Sequence, residues 1–540
     1  MTDEARPFVL VNSGAYAAQE LCAEFGALPP AFLPVGLGRL YELQARVLEP
    51  LGAELLLTLP ESFDLSAWDN ERLHTLGFSV LRTPDDLSLG AALIYALGHV
   101  GFSERRLRIL HGDTLVSGID LTLDDVVAVA EGGDGYHWGQ AKLSLLAGTV
   151  EGVAPPAEAS AAASGPRLCG YFAFTSTASF AAKLAMANGD FYGALNRQAA
   201  ESTLRAVTPR QWLDFGHVQT YFRSRHTVTT ERAFNSLEIG DAYVRKRSAS
   251  AAAKLRAEAR WLREVPPRVA PFCARLLDEG EDQASYFYDS EYEYMPTLAE
   301  LYVFGRVTPS SWARILNSCA DFVAASVAEG RGAEVNGLFS RLAVDKTAER
   351  LEVLAKQIDL DLDAPNRLNG RPAPPLRHCL ETIGAVLEGC GDAPSVMHGD
   401  FCFSNILYSF RTDRIRLIDP RGLTDRGDFS LYGDCRYDLA KLMHSLCGEY
   451  DVIMAGQYEG GRTGPQSFEL TLSAEPWRAQ VEAMARSLTM GGIRLDSRVV
   501  WAAMTSLFLS MPPLHADRPD RQAAFVANAL RLHLELDKAS

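Results

Sequence analysis

The chain has 540 residues, of which 47% are hydrophobic and 22% charged, and its formal net charge is −16. This length predicts more than one domain, and this composition is typical of a globular protein rather than a disordered or fibrous one. The negative charge excludes an extended nucleic-acid surface, because such surfaces need clustered Lys and Arg. It is compatible with local anion sites and with small-molecule substrates.

Targeting and redox features indicate an intracellular setting. No window reaches the roughly 18 uninterrupted apolar residues that a membrane helix needs. The acidic N-terminus lacks the basic start and apolar run of a secretory signal. The nine cysteines form no C-x-x-C pair, so they predict neither a zinc site nor a disulfide framework. We expect a cytoplasmic protein without membrane insertion, whose oligomeric state the sequence does not reveal.

The first 150 residues alternate short apolar runs with longer helix-like ones. Strands are predicted at 8–12, 53–60, 77–83, 106–113 and 124–132, and helices at 39–52 and 89–101. This alternation predicts βαβ units and a mainly parallel sheet with helices on both faces. A small-residue, proline-bearing stretch at 155–166 predicts a loop or linker, after which 168–176 again predicts a strand.

The pattern changes near residue 230. "RAFNSLEIGDAYVRKRS" (232–248) predicts two short strands around a Gly-Asp turn, and 251–264 predicts a helix that ends at "VPP". An aromatic β-type stretch follows at 283–296, and most of the remaining chain has a helical pattern. We therefore predict an α/β protein with a first domain at 1–228 and a two-lobed second domain divided into 229–300 and 301–540.

"VMHGDFCFSNILYSFRTDRIRLIDPRG" (396–422) concentrates polar residues around a predicted β-hairpin. Asp400 and Asn405 are five positions apart before the hairpin, and Asp419 follows its second strand. Phosphoryl transfer needs a carboxylate to orient the attacking hydroxyl and oxygen ligands for the metal on the phosphates. The alternative is a pair of buried strands in which Asp and Asn serve as turn residues.

These motifs resemble the catalytic loop and metal motif of the aminoglycoside phosphotransferase and choline kinase superfamily. The resemblance covers about 230–540 and implies that Asp400 is the catalytic base, while Asn405 and Asp419 hold Mg²⁺ on ATP. His398 would brace the loop.

The same resemblance assigns an upstream nucleotide site. It implies a strand lysine at Lys246 and a helix glutamate at Glu258. Arg245 and Arg247 are competing cations, and Glu264 is a weaker acid candidate. Tyr294 and Met295 lie in "EYEYMP" (291–296), which resembles the superfamily's hinge, where backbone groups meet adenine.

Acceptor-binding candidates come from two C-terminal segments. By resemblance, "YGDCRYDLAKLMHSL" (432–446) and "SLFLSMPPLHADRPDRQ" (506–522) build the acceptor pocket, with the candidate residues Asp434, Arg436, His515 and Asp517. A structural role is the alternative for each of them. Asp438 is predicted to cap a helix that starts at Leu439.

The first domain resembles the sugar-phosphate nucleotidyltransferase family. The matching elements are Ser13-Gly14, the run from Pro30 to Leu40, Gly112-Asp113, "LSLGAALIYAL" (87–97), "CGYFAF" (169–174) and "WLDFG" (212–216). The resemblance implies that Asp113 and Asp214 hold Mg²⁺, and that Ser13, Gly14, Ser88 and Gly90 contact an NTP.

Two departures from that family concern the cations that hold the triphosphate. The G-x-G-x-R loop is absent after "VLVNSG", and Pro30 stands where a lysine is expected. Arg39 is the candidate replacement. The alternatives for this domain are a weakly active enzyme, a rewired one, or a non-catalytic binding module.

Together the two resemblances predict a bifunctional enzyme. Its kinase would phosphorylate a hydroxyl metabolite with ATP and Mg²⁺, and its first domain would couple the product to a second NTP for cell-surface polysaccharide synthesis. A sugar is the first candidate acceptor and a choline-like amino alcohol is the second. The alternatives are a kinase with a non-catalytic first domain and a non-enzymatic scaffold in surface-polymer assembly.

Overall fold

The computed structural model describes residues 6–101, 104–131, 138–144, 148–156, 165–228, 236–240, 242–282 and 285–538. The chain divides into two compact units, residues 1–229 and 230–540. The acidic N-terminus, most of the predicted linker at 155–166, Asp241 of the predicted Gly-Asp turn, and the first two residues of the 283–296 stretch lie outside the described residues.

The first unit alternates strands and helices as the sequence predicts. Its strands are β1 (Phe8–Asn12), β2 (Pro34–Val35), β3 (Gly38–Arg39), β4 (Glu54–Pro60), β5 (Phe78–Thr83), β6 (Leu107–His111), β7 (Thr114–Ser117), β8 (Val126–Ala130), β9 (Gln140–Leu143), β10 (Val150–Ala154), β11 (Arg167–Phe174), β12 (Arg205–Val207) and β13 (Gln211–Asp214). Its helices are α1 (Gln19–Phe25), α2 (Leu40–Leu48), α3 (Ala67–Thr75), α4 (Leu89–Val100), α5 (Thr177–Met186), α6 (Phe191–Glu201) and α7 (Val218–Val228).

One large sheet organises this unit, with strand order β10-β9-β11-β6-β1-β4-β5. Off this path, β8 pairs with β11, and β12 pairs with β8. The strands β6, β1, β4 and β5 are mutually parallel, which confirms the predicted α/β class. On the other side of β6 the sheet becomes antiparallel, because β11 runs against both β6 and β8.

The parallel strands are buried on both faces, which explains their unbroken apolar sequences. Phe8 and Leu10 of β1, Leu56 of β4 and Ile109 of β6 belong to the core that α4, α5 and α6 cover.

The strand order reverses at β1, because β4 and β6 pair with its two sides. In open parallel sheets, the crevice beyond the carboxyl ends of strands at such a reversal is where ligands bind. Ser13 follows β1 and Asp113 follows β6, so both lie at this point.

The second unit begins with a small sheet and continues into helices. Its strands are β14 (Ser236–Ile239), β15 (Tyr243–Ser248), β16 (Leu276–Asp282), β17 (Ser285–Glu291), β18 (Asn366–Leu368), β19 (Arg371–Ala373), β20 (Pro394–Val396), β21 (Ile406–Ser409), β22 (Arg414–Leu417), β23 (Tyr432–Asp434), β24 (Tyr458–Gly464), β25 (Ser467–Leu472), β26 (Thr489–Met490) and β27 (Ile493–Arg494). Its helices are α8 (Ala252–Glu264), α9 (Leu298–Val303), α10 (Pro309–Glu329), α11 (Leu338–Ser340), α12 (Lys346–Ile358), α13 (Leu376–Leu387), α14 (Cys435–Leu446), α15 (Tyr450–Met454), α16 (Pro476–Ser487), α17 (Arg498–Ser510) and α18 (Pro519–Glu535).

The small sheet has the antiparallel order β14-β15-β17-β16. Helix α8 is rich in good helix formers and ends at Glu264, because the two prolines after Val265 disfavour its continuation. Its buried face carries Leu255, Glu258 and Trp261. A buried glutamate on this face is unusual and needs partners in the fold.

The predicted hairpin is present as β21 and β22, which pair antiparallel from Ile406↔Leu417 to Ser409↔Arg414. The helical part packs around α17, whose residues Val500 to Ser510 are all buried. No helix among the described residues has the length and apolar character required to cross a membrane.

Candidate functional site

The hairpin brings the two ends of the 396–422 motif together. Asn405 immediately precedes β21, and its carbonyl oxygen accepts a hydrogen bond of 3.1 Å from the N–H of Ile418, which immediately follows β22. Asp419 is the next residue, and its φ of 61° is in the left-handed region. The backbone register therefore places Asn405 and Asp419 at the same end of the hairpin.

Asp400 is held by both neighbouring elements. The side-chain Nδ2 of Asn405 donates to the backbone carbonyl oxygen of Asp400 at 3.0 Å and to the Oδ2 of Asp400 at 2.9 Å. Lys441 Nζ, from α14, lies 2.9 Å from Asp400 Oδ1. Burial alone would raise the pKa of Asp400, but the charge and hydrogen bond of Lys441 hold that pKa well below its ordinary value. Asp400 is therefore a fixed, ionised hydrogen-bond acceptor.

Asp438 fixes the backbone of the loop. Its two carboxylate oxygens accept the N–H groups of His398 and Gly399 at 2.8 and 2.7 Å. The predicted capping role of Asp438 is wrong, because α14 starts at Cys435 and Asp434 caps it. Asp438 lies inside the helix, so its oxygens are directed to the loop instead.

His398 braces the loop from inside. It is fully buried, and its Nδ1 accepts the N–H of Asp400 at 3.3 Å. Burial lowers the pKa of His398 to about 4, so the ring is neutral at physiological pH.

Lys246 joins the small sheet to the hairpin end. Its ammonium group contacts Asp419 Oδ1 and lies 3.4 Å from Glu258 Oε2. Tyr288 also donates a hydrogen bond of 2.9 Å to Glu258 Oε2, which satisfies this buried carboxylate. Burial would lower the pKa of Lys246, but Asp419 and Glu258 raise it above the ordinary value. Residues of a strand, of the helix that follows it and of the distant hairpin thus form one charge network.

The competing candidates point elsewhere. Arg245 lies on the other face of β15, where its guanidinium binds Asp289 through two hydrogen bonds of 2.7 Å. Arg247 lies over the ring of Phe287, 5.9 Å from its centroid. Glu264 pairs with Arg260 on the surface at 2.8 Å.

Asn405 and Asp419 offer an amide oxygen and a carboxylate for Mg²⁺. The described residues contain no group of three or more His, Cys, Asp or Glu side chains arranged to hold a metal. Mg²⁺ commonly takes one or two protein carboxylates together with phosphate oxygens. The donor pair therefore fits an ion shared with a bound nucleotide.

The hinge candidates Tyr294 and Met295 follow β17. Tyr294 is 38% exposed, its ring packs 4.5 Å from that of Tyr292, and the N–H of Met295 donates to the carbonyl oxygen of Glu293 at 2.8 Å.

Two of the predicted acceptor residues have structural roles instead. Asp434 is fully buried and caps α14. Its carboxylate accepts hydrogen bonds from Arg436 Nε at 2.7 Å and from Arg436 Nη2 at 2.5 Å. Because each satisfies the other, this pair is not available to a substrate.

His515 and Asp517 lie in the connection between α17 and α18. The ring of His515 packs 4.9 Å from that of Phe525, and burial, with a contribution from Arg521, lowers its pKa to about 4. Asp517 is exposed. No hydrogen bond or ion pair among the described residues joins either of them to the loop around Asp400.

In the first unit, Asp113 and Asp214 come together. Asp214 ends β13 and pairs in register with Thr114 of β7, and the N–H of Phe215 donates to the carbonyl oxygen of Asp113 at 2.8 Å. A Cβ on Gly216 would lie 2.5 Å from Asp113 Oδ2 and 3.3 Å from Asp214 Oδ1. The two carboxylates thus flank a residue that leaves space between them, as a shared Mg²⁺ site requires.

Other groups fix Asp214. Its Oδ2 accepts the hydroxyl of Thr220 at 2.5 Å and lies 3.2 Å from His217 Nδ1. The hydrogen bond to Asp214 raises the pKa of His217. Burial and then the charge of Asp214 raise the pKa of Asp113 to about 6.

The predicted replacement cation, Arg39, is not available to a nucleotide. It is only 4% exposed, and its guanidinium binds both carboxylate oxygens of Asp69 at 2.6 and 2.9 Å and the carbonyl oxygen of Phe32 at 2.8 Å. The sequence could not reveal this role, because Asp69 is thirty positions away.

The remaining nucleotide candidates of the first unit shape the backbone. Ser13 is buried, and its hydroxyl accepts the N–H of Ala31 at 3.0 Å. A Cβ on Gly14 would lie 2.5 Å from Thr83 Oγ1. Ser88 caps α4, and a Cβ on Gly90 would lie 2.1 Å from the carbonyl oxygen of Gly189. Each supports close packing at these turns, and Ser13 and Gly14 adjoin the crevice at the end of β1.

Gly422 connects the Asp419 loop to α8. Its φ is +63°, and a Cβ there would lie 2.5 Å from the carbonyl oxygen of Ala257, the neighbour of Glu258. We expect Gly422→Ala to lower the free energy of unfolding by about 2–4 kcal/mol, because it adds a clash to left-handed strain. It should also raise the KM for ATP, since α8 must shift.

Gly427→Ala is the matched control for Gly422→Ala. Gly427 has a φ of +86°, but nothing lies within 4 Å of its added Cβ. We expect Gly427→Ala to lower the free energy of unfolding by about 1–2 kcal/mol, from strain alone. Denaturant unfolding and ATP kinetics of both variants measure the difference, and equal losses would show that the contact with Ala257 does not matter.

A second prediction concerns Asp113 and pH. Because its pKa of about 6 exceeds that of an unfolded Asp, the folded state binds more protons between about pH 4 and 6. The metal-free protein should lose stability as pH rises through this window. We therefore expect Asp113→Asn to raise the Tm of the metal-free protein at pH 7.5 by a few degrees and to have little effect at pH 4.

Asp86→Asn provides the control, because Asp86 is an exposed carboxylate of the same unit. Differential scanning calorimetry in EDTA at both pH values checks the prediction. A lower Tm for Asp113→Asn at pH 7.5 would contradict it.

Comparisons with known proteins support the resemblance of the second unit. Residues 228–471 match the family model of the phosphotransferase enzyme family, APH. The match confirms the predicted resemblance of this part of the chain to the phosphotransferase family. No curated protein gives a significant match to the sequence.

Solved structures resemble separate parts of the chain. HddC from Yersinia pseudotuberculosis is 16% identical, covers 41% of this chain and 100% of its own, and has a TM-score of 0.32. The inositol-1-phosphate CTP transferase from T. maritima is 11% identical, covers 42% of this chain and 98% of its own, and has a TM-score of 0.35. An aminoglycoside-3'-phosphotransferase of type VIII is 18% identical, covers 52% of this chain and 90% of its own, and has a TM-score of 0.31.

Proposed function

We propose that the phosphotransferase-family domain transfers the γ-phosphate of ATP to the hydroxyl group of a small metabolite, with a sugar as the first candidate. The observation that carries this proposal is the arrangement of Asp400, Asn405 and Asp419 at one end of a hairpin, with Lys246 contacting Asp419. These are the parts that positioning and electrostatic stabilisation of a phosphoryl group require.

Each residue has a distinct task in this proposal. Asp400 accepts a hydrogen bond from the acceptor hydroxyl and takes its proton as the new O–P bond forms. Asn405 holds Asp400 in place, and Lys441 keeps it ionised. Lys246 supplies positive charge to the nucleotide phosphates, and Glu258 orients it. Mg²⁺, held by Asn405 and Asp419, would neutralise phosphate charge when bound.

We further propose that the first unit transfers a nucleotidyl group from a second NTP to the phosphorylated product and releases pyrophosphate. The juxtaposed Asp113 and Asp214 at the strand reversal support this. An Mg²⁺ ion there would reduce the repulsion between the attacking phosphate and the α-phosphate. The activated product would serve cell-surface polysaccharide synthesis, and both steps would occur in the cytoplasm, where ATP and NTPs are made.

One observation favours a second candidate, a kinase with a non-catalytic first unit. Arg39 is bound to Asp69, and the sequence offers no G-x-G-x-R loop after β1, so the cations that usually hold a triphosphate are missing. The first unit would then bind a nucleotide or regulate the kinase without chemistry.

Two assays separate these candidates. The first measures ADP release from ATP and Mg²⁺ across a panel of sugars, sugar phosphates and amino alcohols. The second measures pyrophosphate release from each NTP with the products of the first assay. ADP release without pyrophosphate release favours the non-catalytic first unit, and no ADP release with any acceptor excludes the kinase proposal.

A further inference from the structure

Three half-buried cations lie beside the candidate phosphoryl-transfer site without an acidic partner. They are Lys346, Arg350 and Arg421, which we call the cation cluster. None of them makes an ion pair with any residue that the structure describes. Arg350 Nη1 lies 3.3 Å from both the carbonyl oxygen and the hydroxyl of Ser510. Arg421 donates to the carbonyl oxygen of Leu423 at 2.9 Å.

Two neighbouring cations of the same unit do have acidic partners. Arg341, just before α12, pairs with Asp425 at 2.9 Å, and Lys441 pairs with Asp400 at 2.9 Å. The chain has 68 acidic and 52 basic residues, so carboxylates are abundant. Half-buried positive charges without a counter-charge are unfavourable unless a ligand supplies one.

The members of the cluster repel one another. Lys346 and Arg350 are four residues apart on α12, so they share a face of the helix. Burial and then the positive charges of Arg421, Arg350 and Lys441 together lower the pKa of Lys346 to about 7, although the carboxylate of Asp425, which pairs with Arg341, acts in the opposite direction. A five-residue π-helical segment, Arg341–Asp345, leads directly into Lys346, and such segments are frequent at functional sites.

The cluster adjoins Asp400. A Cβ on Gly399, the residue before Asp400, would lie 2.7 Å from Arg421 Cβ. Arg421 Nη1 lies 3.4 Å from the hydroxyl of Tyr437. Tyr437 is one helical turn from Lys441, which contacts Asp400. Lys246 and Glu258, by contrast, come from β15 and α8 and serve the nucleotide side.

We propose that the cation cluster binds a phosphate group that the acceptor already carries, so that the substrate of the kinase is a phosphorylated alcohol, such as a sugar phosphate. This inference rests on the proposed kinase function. Three cations match the two charges of a phosphate monoester better than the single charge of a carboxylate, and arginine suits phosphate geometry. A cationic amino alcohol would be repelled, which argues against the second candidate acceptor.

The reaction is an ordinary phosphoryl transfer. The acceptor's free hydroxyl oxygen forms a bond to the γ-phosphorus of ATP, and the bond from that phosphorus to the β–γ bridging oxygen breaks. ADP leaves with the bond's electron pair, and the hydroxyl proton goes to Asp400. The acceptor's own phosphate remains intact at the cluster, and the product is a bisphosphate.

Matched acceptors test the inference. Hexoses, their 6-phosphates and the corresponding hexuronic acids are compared by ADP release at saturating ATP. We expect the phosphates to be preferred by about tenfold or more in kcat/KM, the scale of one charge-assisted hydrogen bond. Equal use of neutral hexoses, or preference for the hexuronic acids, would overturn the inference while leaving the kinase proposal intact. If none of the acceptors caused ADP release, both the inference and the kinase proposal would be overturned.

Variants locate the subsite. We expect Lys346→Gln and Arg350→Gln each to raise the KM for the phosphorylated acceptor about 10-fold or more, with the KM for ATP changed less than about threefold. Lys356→Gln is the control, because Lys356 is exposed on the same helix and should change neither KM. A larger change in the KM for ATP would assign the cluster to the nucleotide and overturn the inference.

A binding measurement provides a readout besides activity. Inorganic phosphate should raise the Tm of the wild-type chain and of Lys356→Gln, but should have a much smaller effect on the Lys346→Gln/Arg350→Gln double variant. Equal stabilisation of all three proteins would overturn the inference.

Discussion

Asp400→Asn should lower kcat for phosphoryl transfer by about 10²–10⁴-fold, with little change in the KM for ATP. The substitution keeps the size of the side chain but removes the carboxylate that accepts the hydroxyl proton, and general-base contributions are of this order. The proposed nucleotide contacts come from Lys246 and from the end of the hairpin, so they should remain. ADP release measured in steady state at varied ATP checks both parts of this prediction.

The control for this variant is Asp428→Asn, because Asp428 is an exposed carboxylate in the loop that follows the motif. Asp400→Asn also leaves Lys441 without its 2.9 Å partner, so thermal unfolding should be measured alongside activity. An Asp400→Asn enzyme that is folded and keeps more than about a tenth of the wild-type kcat would contradict the assignment of Asp400 as the base.

Lys246→Met is expected to lower kcat/KM for ATP by about 10²–10³-fold. Methionine keeps much of the length of the side chain, but it cannot stabilise charge on the phosphates, and the loss of one such donor has an effect of this size. The variant also leaves Glu258 and Asp419 without the ammonium group that lies between them. ATP-dependent ADP release at a fixed acceptor concentration measures the change.

Arg247→Met is the matched control. Arg247 follows Lys246 directly on β15, and its side chain lies on the same face of the strand as that of Arg245. Its guanidinium lies over Phe287 rather than near Asp419. We expect Arg247→Met to change kcat/KM for ATP by less than about threefold. If Arg247→Met were the more impaired enzyme, the cation for the phosphates would have to be reassigned.

Local patterns in the sequence were sufficient to predict much of the site. The hairpin and the residues at its end lie within 27 consecutive positions, so strand alternation and turn residues determine their geometry. The approach of Lys246 to Glu258 follows from a strand and a helix that are neighbours in the chain. The parallel core of the first unit is equally local, because it is built from βαβ units.

The sequence did not reveal contacts between distant segments. Lys441 and Asp438 are three positions apart among the apolar residues of α14, which is a signal that each has a buried partner. Nothing local identifies those partners as Asp400 and the His398–Gly399 backbone. Arg39 has the right charge for a nucleotide, yet Asp69 binds it. Asp434 and Arg436 form a buried ion pair with each other. The sequence does not reveal that this pair is buried, because burial depends on the tertiary fold.

The contact between Gly422 and Ala257 has a consequence for the timing of catalysis. Trp261 Nε1 also donates to the carbonyl oxygen of Met397 at 3.0 Å, so α8 is attached both to the segment that carries Asp419 and to the one that leads into Asp400. Ordering of either segment by a ligand must therefore also order Glu258. By thermodynamic reciprocity, a nucleotide that binds at Lys246 would favour the arrangement that receives the acceptor, and departure of the phosphorylated product would promote release of ADP.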